Sequence, residues 1–289
     1  MLMPFRKALV ATLVAAALAG CGGKNSTAAR TPVEVLDDAL VPVAIAAELR
    51  KQGGGHVHAT ATFHVDVAGT DATGGKPASP PTVTTTTDLW LDKQGNFRLL
   101  EVNDQDGGRE IVRVGPDIAV ALRYGKMIRR AAQDAESLRY LNEALGAPWA
   151  AWEIVRRQVE VEDRSGGYRL RLGKKRVELP AGFPAAEGLR KWRDSITVKS
   201  LDGQATAQSG GKVVLAFACK AAYQAVRDGV AVEGSVDVTM SVDQLGKKVA
   251  VVLPAAETLQ TRQRTVLEEK ALLGGIGSST WPVGKKGSP

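Results

Sequence analysis

Cysteine and histidine are both scarce in this sequence. Only Cys21 and Cys219 occur among 289 residues, together with three histidines. The chain could form one disulfide at most, which excludes the disulfide-stapled class of small domain, and no zinc-finger spacing is present. Stability must therefore come from burial of apolar side chains, and the length is enough for one large domain or two small ones.

The apolar run at the N-terminus is short. Residues 8–18 are uncharged and largely apolar, whereas a membrane-spanning helix needs about 20 apolar residues. Arg6 and Lys7 precede the run and a small pair, residues 19–20, follows it. This is the layout of a secretory signal peptide, so we expect residues 1–20 to be removed.

The residues around Cys21 resemble the bacterial lipobox. In Leu18-Ala19-Gly20-Cys21 the cysteine would become the mature N-terminus and carry acyl chains; the alternative is a plain cleavable signal with an incidental cysteine. Each buried methylene contributes about 0.8 kcal/mol, so two or three acyl chains hold a membrane far more tightly than one. We expect lipidation at Cys21 and membrane attachment through it.

The sequence has fewer acidic than basic residues. The net charge is +7, and loss of Arg6 and Lys7 with the signal would leave +5. A mildly basic chain suits an anionic membrane surface, and no nucleic-acid motif is present, so no nucleic-acid partner is expected.

Beyond Cys21 the sequence predicts three regions. Residues 21–32 are small and polar and predict a flexible tether; residues 33–273 predict a single domain; residues 274–289 predict a flexible tail. Within the domain, helices are predicted over residues 43–52, 135–145, 149–157, 185–192 and 257–273.

Period-two alternation is the dominant pattern of the domain. Strands are predicted over residues 56–69, 82–92, 97–102, 110–114, 118–124, 127–130, 158–162, 168–172, 195–201, 213–223, 232–242 and 248–253, with a turn at Asp202-Gly203. Strands in hairpin order with few helices predict an α+β fold: a single large, strongly curved antiparallel sheet, an incomplete β-barrel closed by a few helices.

One face of nearly every predicted strand is apolar and must be covered by helices, by curling of the sheet, or by a ligand. Its candidate ligand-binding residues are Phe63, Val65, Leu89, Leu91, Leu215, Phe217, Val236, Val238 and Met240. Since alternation puts each set on one side of its strand, we expect these side chains to meet on one concave side.

Two segments resemble the LolA/LolB-like superfamily of lipoprotein carriers, which includes lipid-carrying lipoproteins of the LppX type. They are TDLWLDKQGNFRLL (residues 87–100) and REIVRVGPDIAVALRYGKMIRR (residues 109–130). The resemblance covers residues 33–175 and implies a hollow that receives acyl chains. The soluble carrier of the family has no lipobox, so an anchored chain resembles the acceptor type, which implies a periplasm-facing protein of the outer rather than the inner membrane.

Two functions therefore remain open from the sequence. The first is binding or accepting of lipid or lipoprotein acyl chains in an apolar hollow. The second is an anchored structural or protein-interaction lipoprotein with a filled core and an unknown protein partner. An apolar strand face looks the same whether a helix or a lipid covers it.

Enzymatic chemistry is not expected, and neither is a cofactor or a metal. His58 and His64 would stand about 20 Å apart along one strand, too far to share a metal, and His56 with His58 is more often a surface pair. Cys219 lies in an apolar alternation typical of a buried, inert thiol. No nucleophile elbow or phosphate-binding loop is present.

Three further clusters have alternative interpretations. Four acids near a Gly-rich turn, Glu101, Asp104, Asp106 and Glu110, could hold calcium but lack the loop spacing and favour a solvated hairpin tip. The run at residues 174–176, Lys-Lys-Arg, could touch phospholipid head groups or be a charged hairpin end. Trp149 and Trp152, at i and i+3, fill a core more often than an interfacial belt.

Lipidation at Cys21 is directly testable. The Cys21→Ser variant should remain an uncleaved or unlipidated precursor that no longer incorporates radioactive palmitate, because the acyl acceptor is gone. Undiminished acyl labelling of this variant would contradict the assignment.

Overall fold

A computed structural model describes residues 30–67, 82–123, 125–179, 193–207, 214–227 and 229–260. The described residues from Thr31 to Gln260 form one compact unit. The predicted signal peptide, Cys21, the predicted helix at 185–192 and the C-terminal tail lie outside the described residues.

Four α-helices occur in the described residues. They are α1 (Pro32–Ala39), α2 (Pro42–Lys51), α3 (Asp134–Ala144) and α4 (Gly146–Val155). None of these four has the length and apolarity needed to cross a membrane. The predicted helices at 43–52, 135–145 and 149–157 are confirmed as α2, α3 and α4.

Helix α1 was not predicted, although its N-terminal signal is local. The Thr31 hydroxyl accepts from the Glu34 backbone N–H at 3.3 Å, and the Thr31 N–H donates to the Glu34 carboxylate at 2.8 Å. This capping box, with Pro32 at the first helical position, satisfies two backbone donors that would otherwise lack partners. The predicted tether therefore overlaps the start of a helix.

Twelve strands of the described residues form one sheet. They are β1 (Gly54–Val67), β2 (Val83–Asp92), β3 (Phe97–Asn103), β4 (Gly108–Val114), β5 (Asp117–Leu122), β6 (Met127–Ala131), β7 (Val159–Arg164), β8 (Gly167–Leu172), β9 (Thr197–Ala207), β10 (Val214–Arg227), β11 (Val230–Asp243) and β12 (Leu259–Gln260). Their order is β12-β6-β5-β4-β3-β2-β1-β11-β10-β9-β8-β7. Only the two-residue β12 runs parallel to its neighbour. The prediction of an α+β fold with one large, open antiparallel sheet is confirmed.

The topology forces a long connection. The chain leaves β6 near one edge of the sheet and re-enters at β7, the opposite edge. Helices α3 and α4 lie in this connection. α4 packs against β9, β10 and β11, and α2 packs against β1 and β2. The helices thus cover one face of the sheet, which we call the inner face.

The inner face is the apolar face of the alternating strands. In β11 the buried residues Val232, Val236, Val238 and Met240 alternate with exposed residues such as Thr239. One continuous core cluster joins inner-face side chains of β1–β5 and β8–β11 to α1, α2, α3 and α4. The opposite, outer face carries Thr, His, Asp, Lys and Arg.

Three local predictions are wrong. Asp202-Gly203 makes no turn, because β9 continues through both residues. Gly203 allows the neighbouring strands to approach closely, since a Cβ atom there would lie 2.8 Å from the Ala218 carbonyl oxygen of β10. Residues 248–253 form no strand, and residues 256–260 form a 3-10 turn and β12 rather than the start of a helix. The rest of the predicted 257–273 helix lies outside the described residues.

Candidate functional site

Eight of the nine predicted ligand-binding residues lie together on the inner face. Strand register places Phe63 beside Val236, and Phe217 beside Met240. All eight are buried members of the core cluster, at 0–3 % exposure: Phe63, Val65, Leu89, Leu91, Phe217, Val236, Val238 and Met240. Whether they bind a ligand stays a prediction; as placed, they pack against the chain's own helices.

Leu215 is the exception. The β9–β10 register shifts between Val214 and Ala216, which makes Leu215 the extra residue of a β-bulge. Val214 is fully buried in the core instead, and Leu215 is only partly buried. A bulge adds one residue to a strand, so the alternation of side chains between the two faces is reversed on one side of the bulge. Alternation without a bulge therefore assigned Leu215 to the inner face incorrectly.

Helix α4 fills the inner face beside β9–β11. Its residues 148–155 are all buried, including Trp149 at 4 % and Trp152 at 0 % exposure. A helix that is apolar on all sides is a core element. The interpretation of both tryptophans as core residues is confirmed. Helix α4 occupies the part of the inner face where the sequence left a bound ligand possible.

A buried ion pair ties α4 to α1. Asp37 accepts two hydrogen bonds from the Arg156 guanidinium, at 2.7 and 2.9 Å, and a third from Trp152 Nε1 at 2.9 Å. The two charged side chains are only 13 % and 9 % exposed. We call these three residues the α1–α4 clamp. A bidentate pair that also orients an indole fixes position as well as charge.

A second buried charge of α4 is paired from a short 3-10 turn. Glu153 has a fully buried side chain and lies 3.2 Å from Arg193 Nη1. Glu153 is the acidic residue within a run that is otherwise apolar over residues 148–155. Its pairing removes the cost of an isolated carboxylate in the core.

A polar cluster interrupts the inner face beneath α3. Arg109 of β4, with a 1 % exposed side chain, donates to Glu101 of β3 at 2.6 Å and to Glu143 of α3 at 2.7 Å. Burial raises the pKa of the Glu101 carboxyl, and the Arg109 guanidinium offsets only part of that shift. Arg109 and Arg139 both lie over the Tyr140 ring, at 5.5 and 5.7 Å. We call Glu101, Arg109, Arg139, Tyr140 and Glu143 the α3 polar cluster.

Sequence reasoning missed this cluster, although half of its signal is local. Glu101 is two residues after Leu99 and four after Phe97, so alternation places it on the same inward face as both. Arg109 is two residues before Ile111 and shares its inward face in the same way. Charged side chains at inward positions of two adjacent strands predict a buried pair. Glu143 lies 34 residues beyond Arg109, and no local pattern connects it.

The histidines lie on or beside the outer face and are occupied by local partners. His56 Nε2 and His58 Nδ1 each lie 2.9 Å from the same oxygen of Asp88, and His56 stacks on Trp90 at 4.7 Å. His64 lies 3.0 Å from Asp66. Across the described ranges, no group of three or more His, Cys, Asp or Glu side chains is arranged to hold a metal ion.

The four acids near the Gly-rich turn separate to different partners. Glu101 points inward to Arg109, while Glu110 pairs with Arg98 at 2.8 Å on the outer face. Asp104 accepts from the Thr84 N–H at 3.1 Å, and Asp106 lies 3.4 Å from Arg123. This divergence favours the solvated-turn interpretation over a calcium site.

Cys219 is 2 % exposed in the core, between Gly203 and Val238 in strand register. Burial, with a smaller contribution from Asp237, raises the pKa of its thiol to about 12. The thiolate is therefore not populated near neutral pH, as expected for a structural cysteine.

Grooves of different lining lie on the outer face. One, of about 620 Å³, is lined at its rim by charged residues of β8–β11: Arg169, Asp202, Lys220 and Asp237. Another, of about 330 Å³, lies between Trp90, Arg98 and residues 250–254. The basic run at 174–176 is exposed near the β7–β8 edge, where its role in head-group contact stays a prediction.

Comparisons with known proteins give little guidance. No family model matches the chain, and no curated protein matches it. A solved structure, the ywiB protein from Bacillus subtilis, matches at 8 % identity over 64 % of this chain and 91 % of its own, with a TM-score of 0.14. A similarity this low carries no argument about fold or function. The resemblance to the LolA/LolB-like superfamily stays a prediction.

The α1–α4 clamp can be tested by one isosteric change. Asp37→Asn keeps an acceptor for Trp152 but leaves the buried Arg156 guanidinium without its counter-charge, so it should lower the free energy of unfolding by about 2 kcal/mol. Urea unfolding measures the loss. Asp202→Asn is the control, because Asp202 is 78 % exposed in its pair with Arg169 and should cost less than about 0.5 kcal/mol. Equal losses for the two variants would contradict a structural clamp.

Proposed function

We propose that this chain is a lipoprotein of the bacterial cell envelope that serves as a structural or protein-interaction module rather than as an enzyme. Acyl chains on Cys21 would anchor it, and the domain would face the periplasm from the outer membrane. The observation that carries the proposal is the filling of the inner face by α4, whose residues 148–155 are all buried. A module of this kind needs no internal ligand.

The grooves support an external rather than an internal partner. Both lie on the polar outer face, and the larger has Arg169, Lys220, Asp202 and Asp237 around it. Charges of both signs around the larger groove suit a polar protein surface and do not suit an acyl chain, whereas the smaller groove is lined mainly by apolar residues, Trp90, Val112 and residues 250–254.

Acceptance of an acyl chain is the second candidate, and one observation favours it. α4 meets the sheet as an apolar helix over a floor of small side chains, among them Ala205, Ala221 and Ala225. An apolar helix and an acyl chain are chemically equivalent covers for such a floor. Binding would require α4 to leave the inner face and the α1–α4 clamp to open.

We further propose that the sheet is strongly curved, as the resemblance to the LolA/LolB-like fold implies. Helices α3 and α4 together rise about 32 Å. Ten strand spacings between β6 and β7 would make a flat sheet about 48 Å wide. Curling of the sheet around the helices brings its two edges within reach of a connection that is mostly helical, and this supports the incomplete-barrel form.

Val238→Asp separates the two candidate functions. Val238 is fully buried at the centre of the inner face, with Ala61 and Cys219 beside it in register. In a filled core an unpaired carboxylate costs several kcal/mol, so the variant should lose its cooperative thermal transition. Thr239→Asp, one residue along on the exposed outer face, is the matched control and should melt within a few degrees of the parent.

The same pair of variants is titrated with a fluorescent fatty acid. The proposal expects no saturable binding by the parent or by Thr239→Asp. A folded Val238→Asp protein with the parent's melting temperature, combined with fatty-acid binding by the parent that this variant loses, would overturn the filled-core proposal and establish the acyl-chain function.

A further inference from the structure

Several buried nitrogen and oxygen atoms near the α3 polar cluster have no hydrogen-bond partner. They are Arg109 Nη2, Arg139 Nε, Arg139 Nη2 and Thr85 Oγ1. Three of the four belong to guanidinium groups, and a guanidinium can only donate. An unpaired N–H in a buried position costs free energy, so natural structures rarely keep one without a bound acceptor.

These atoms belong to one region. Arg109 Nη1 lies 2.7 Å from one oxygen of Glu143, and Arg139 Nε lies 3.5 Å from the other, so a single carboxylate connects the two guanidinium groups. Thr85 lies two residues from Thr87, which pairs with Glu101, and both threonines are buried on the inner face. Two cations and a hydroxyl therefore border the same part of the β2–β4 surface beneath α3.

The unpartnered donors of the cluster favour a negatively charged acceptor. Three buried nitrogen atoms of Arg109 and Arg139 supply N–H donors without a hydrogen-bond partner. A water molecule could accept from them, but a guanidinium forms its strongest hydrogen bonds with ionised acceptors such as a carboxylate.

A route from solvent exists on one side. Arg109 is 1 % exposed, but the Arg139 side chain is 38 % exposed although its Nε and Nη2 atoms are buried. A small ion could therefore reach the inner nitrogen atoms along Arg139 without unfolding of α3. A large anion would be excluded by the helix packed above the strands.

We propose that the α3 polar cluster binds one small monovalent anion, a carboxylate of formate size or a halide, between Arg109, Arg139 and Thr85. The Arg109 and Arg139 N–H groups donate to the anion, and the Thr85 hydroxyl adds a third donor. The bound ion holds α3 on β4 together with Glu143. This site is independent of the proposed function, because it needs neither an acyl chain nor a protein partner.

The test uses the full chain in a non-ionic detergent. Its melting temperature is measured in sodium formate, sodium chloride and sodium methanesulfonate at equal ionic strength. A small anion that binds only the folded state should raise it by roughly 5 °C at a hundredfold excess over the dissociation constant, relative to methanesulfonate. A rise in formate alone identifies a carboxylate site and a rise in both salts a halide-sized site; either result supports the proposal.

Variants locate the effect. Arg139→Gln should abolish the anion-dependent rise, and Thr85→Val, which keeps the side-chain shape, should weaken it. Arg98→Gln is the matched control, since Arg98 pairs with Glu110 between the same two strands on the outer face, and it should keep the full rise. Equal melting temperatures of the parent in all three salts, or a full rise in Arg139→Gln, would overturn the proposal.

Crystals soaked in sodium bromide give the position directly. An anomalous peak within hydrogen-bond distance of Arg109 Nη2 or of the Arg139 nitrogen atoms is expected if the site takes a halide, and a rise confined to formate predicts a planar three-atom density there instead. Ordered water alone at these atoms in both salts would contradict the proposal.

Discussion

The apolar face of the sheet has to be covered, and this requirement constrains where the helices lie. Two runs of antiparallel strands, β1–β6 and β7–β11, join side by side through β1 and β11. Because each strand alternates, their combined inner face is apolar from β5 to β8 except at the α3 polar cluster, and it cannot remain in water. The chain must also travel from β6 to β7 at opposite edges. The connection that contains α3 and α4 links β6 to β7 across the inner face, and its helices bury that face at the same time.

The two helices of that connection cover the face by different chemistry. α4 is buried among apolar side chains and is held through charges at its C-terminal end, Arg156 to Asp37 and Glu153 to Arg193. α3 meets β4 and β6 through ion pairs, with Glu143 on Arg109 and Glu136 on Arg130. The apolar helix supplies hydrophobic stabilisation, while the ion-paired helix supplies position and a polar site within the core.

Much of the sheet could be predicted because its signal is local. Alternation over β1, β2 and β11 identified the inner-face residues correctly, and glycines after α2 marked its end, where Gly53 and Gly54 have φ values of +106° and +114°. Three features depended on distant partners. Leu215 changed sides at a bulge, Glu143 reached Arg109 from another element, and residues 250–254 lie beside Trp90 and Arg98 instead of pairing as a strand.

If the chain's own side chains fill the inner face, the protein retains no lipid other than its covalent anchor. Native mass spectrometry of the protein, extracted gently from membranes, measures this. We expect one folded species whose mass equals the mature chain plus its covalent acyl anchor. A stoichiometric additional lipid, retained by the parent and released only when the protein is unfolded, would contradict it.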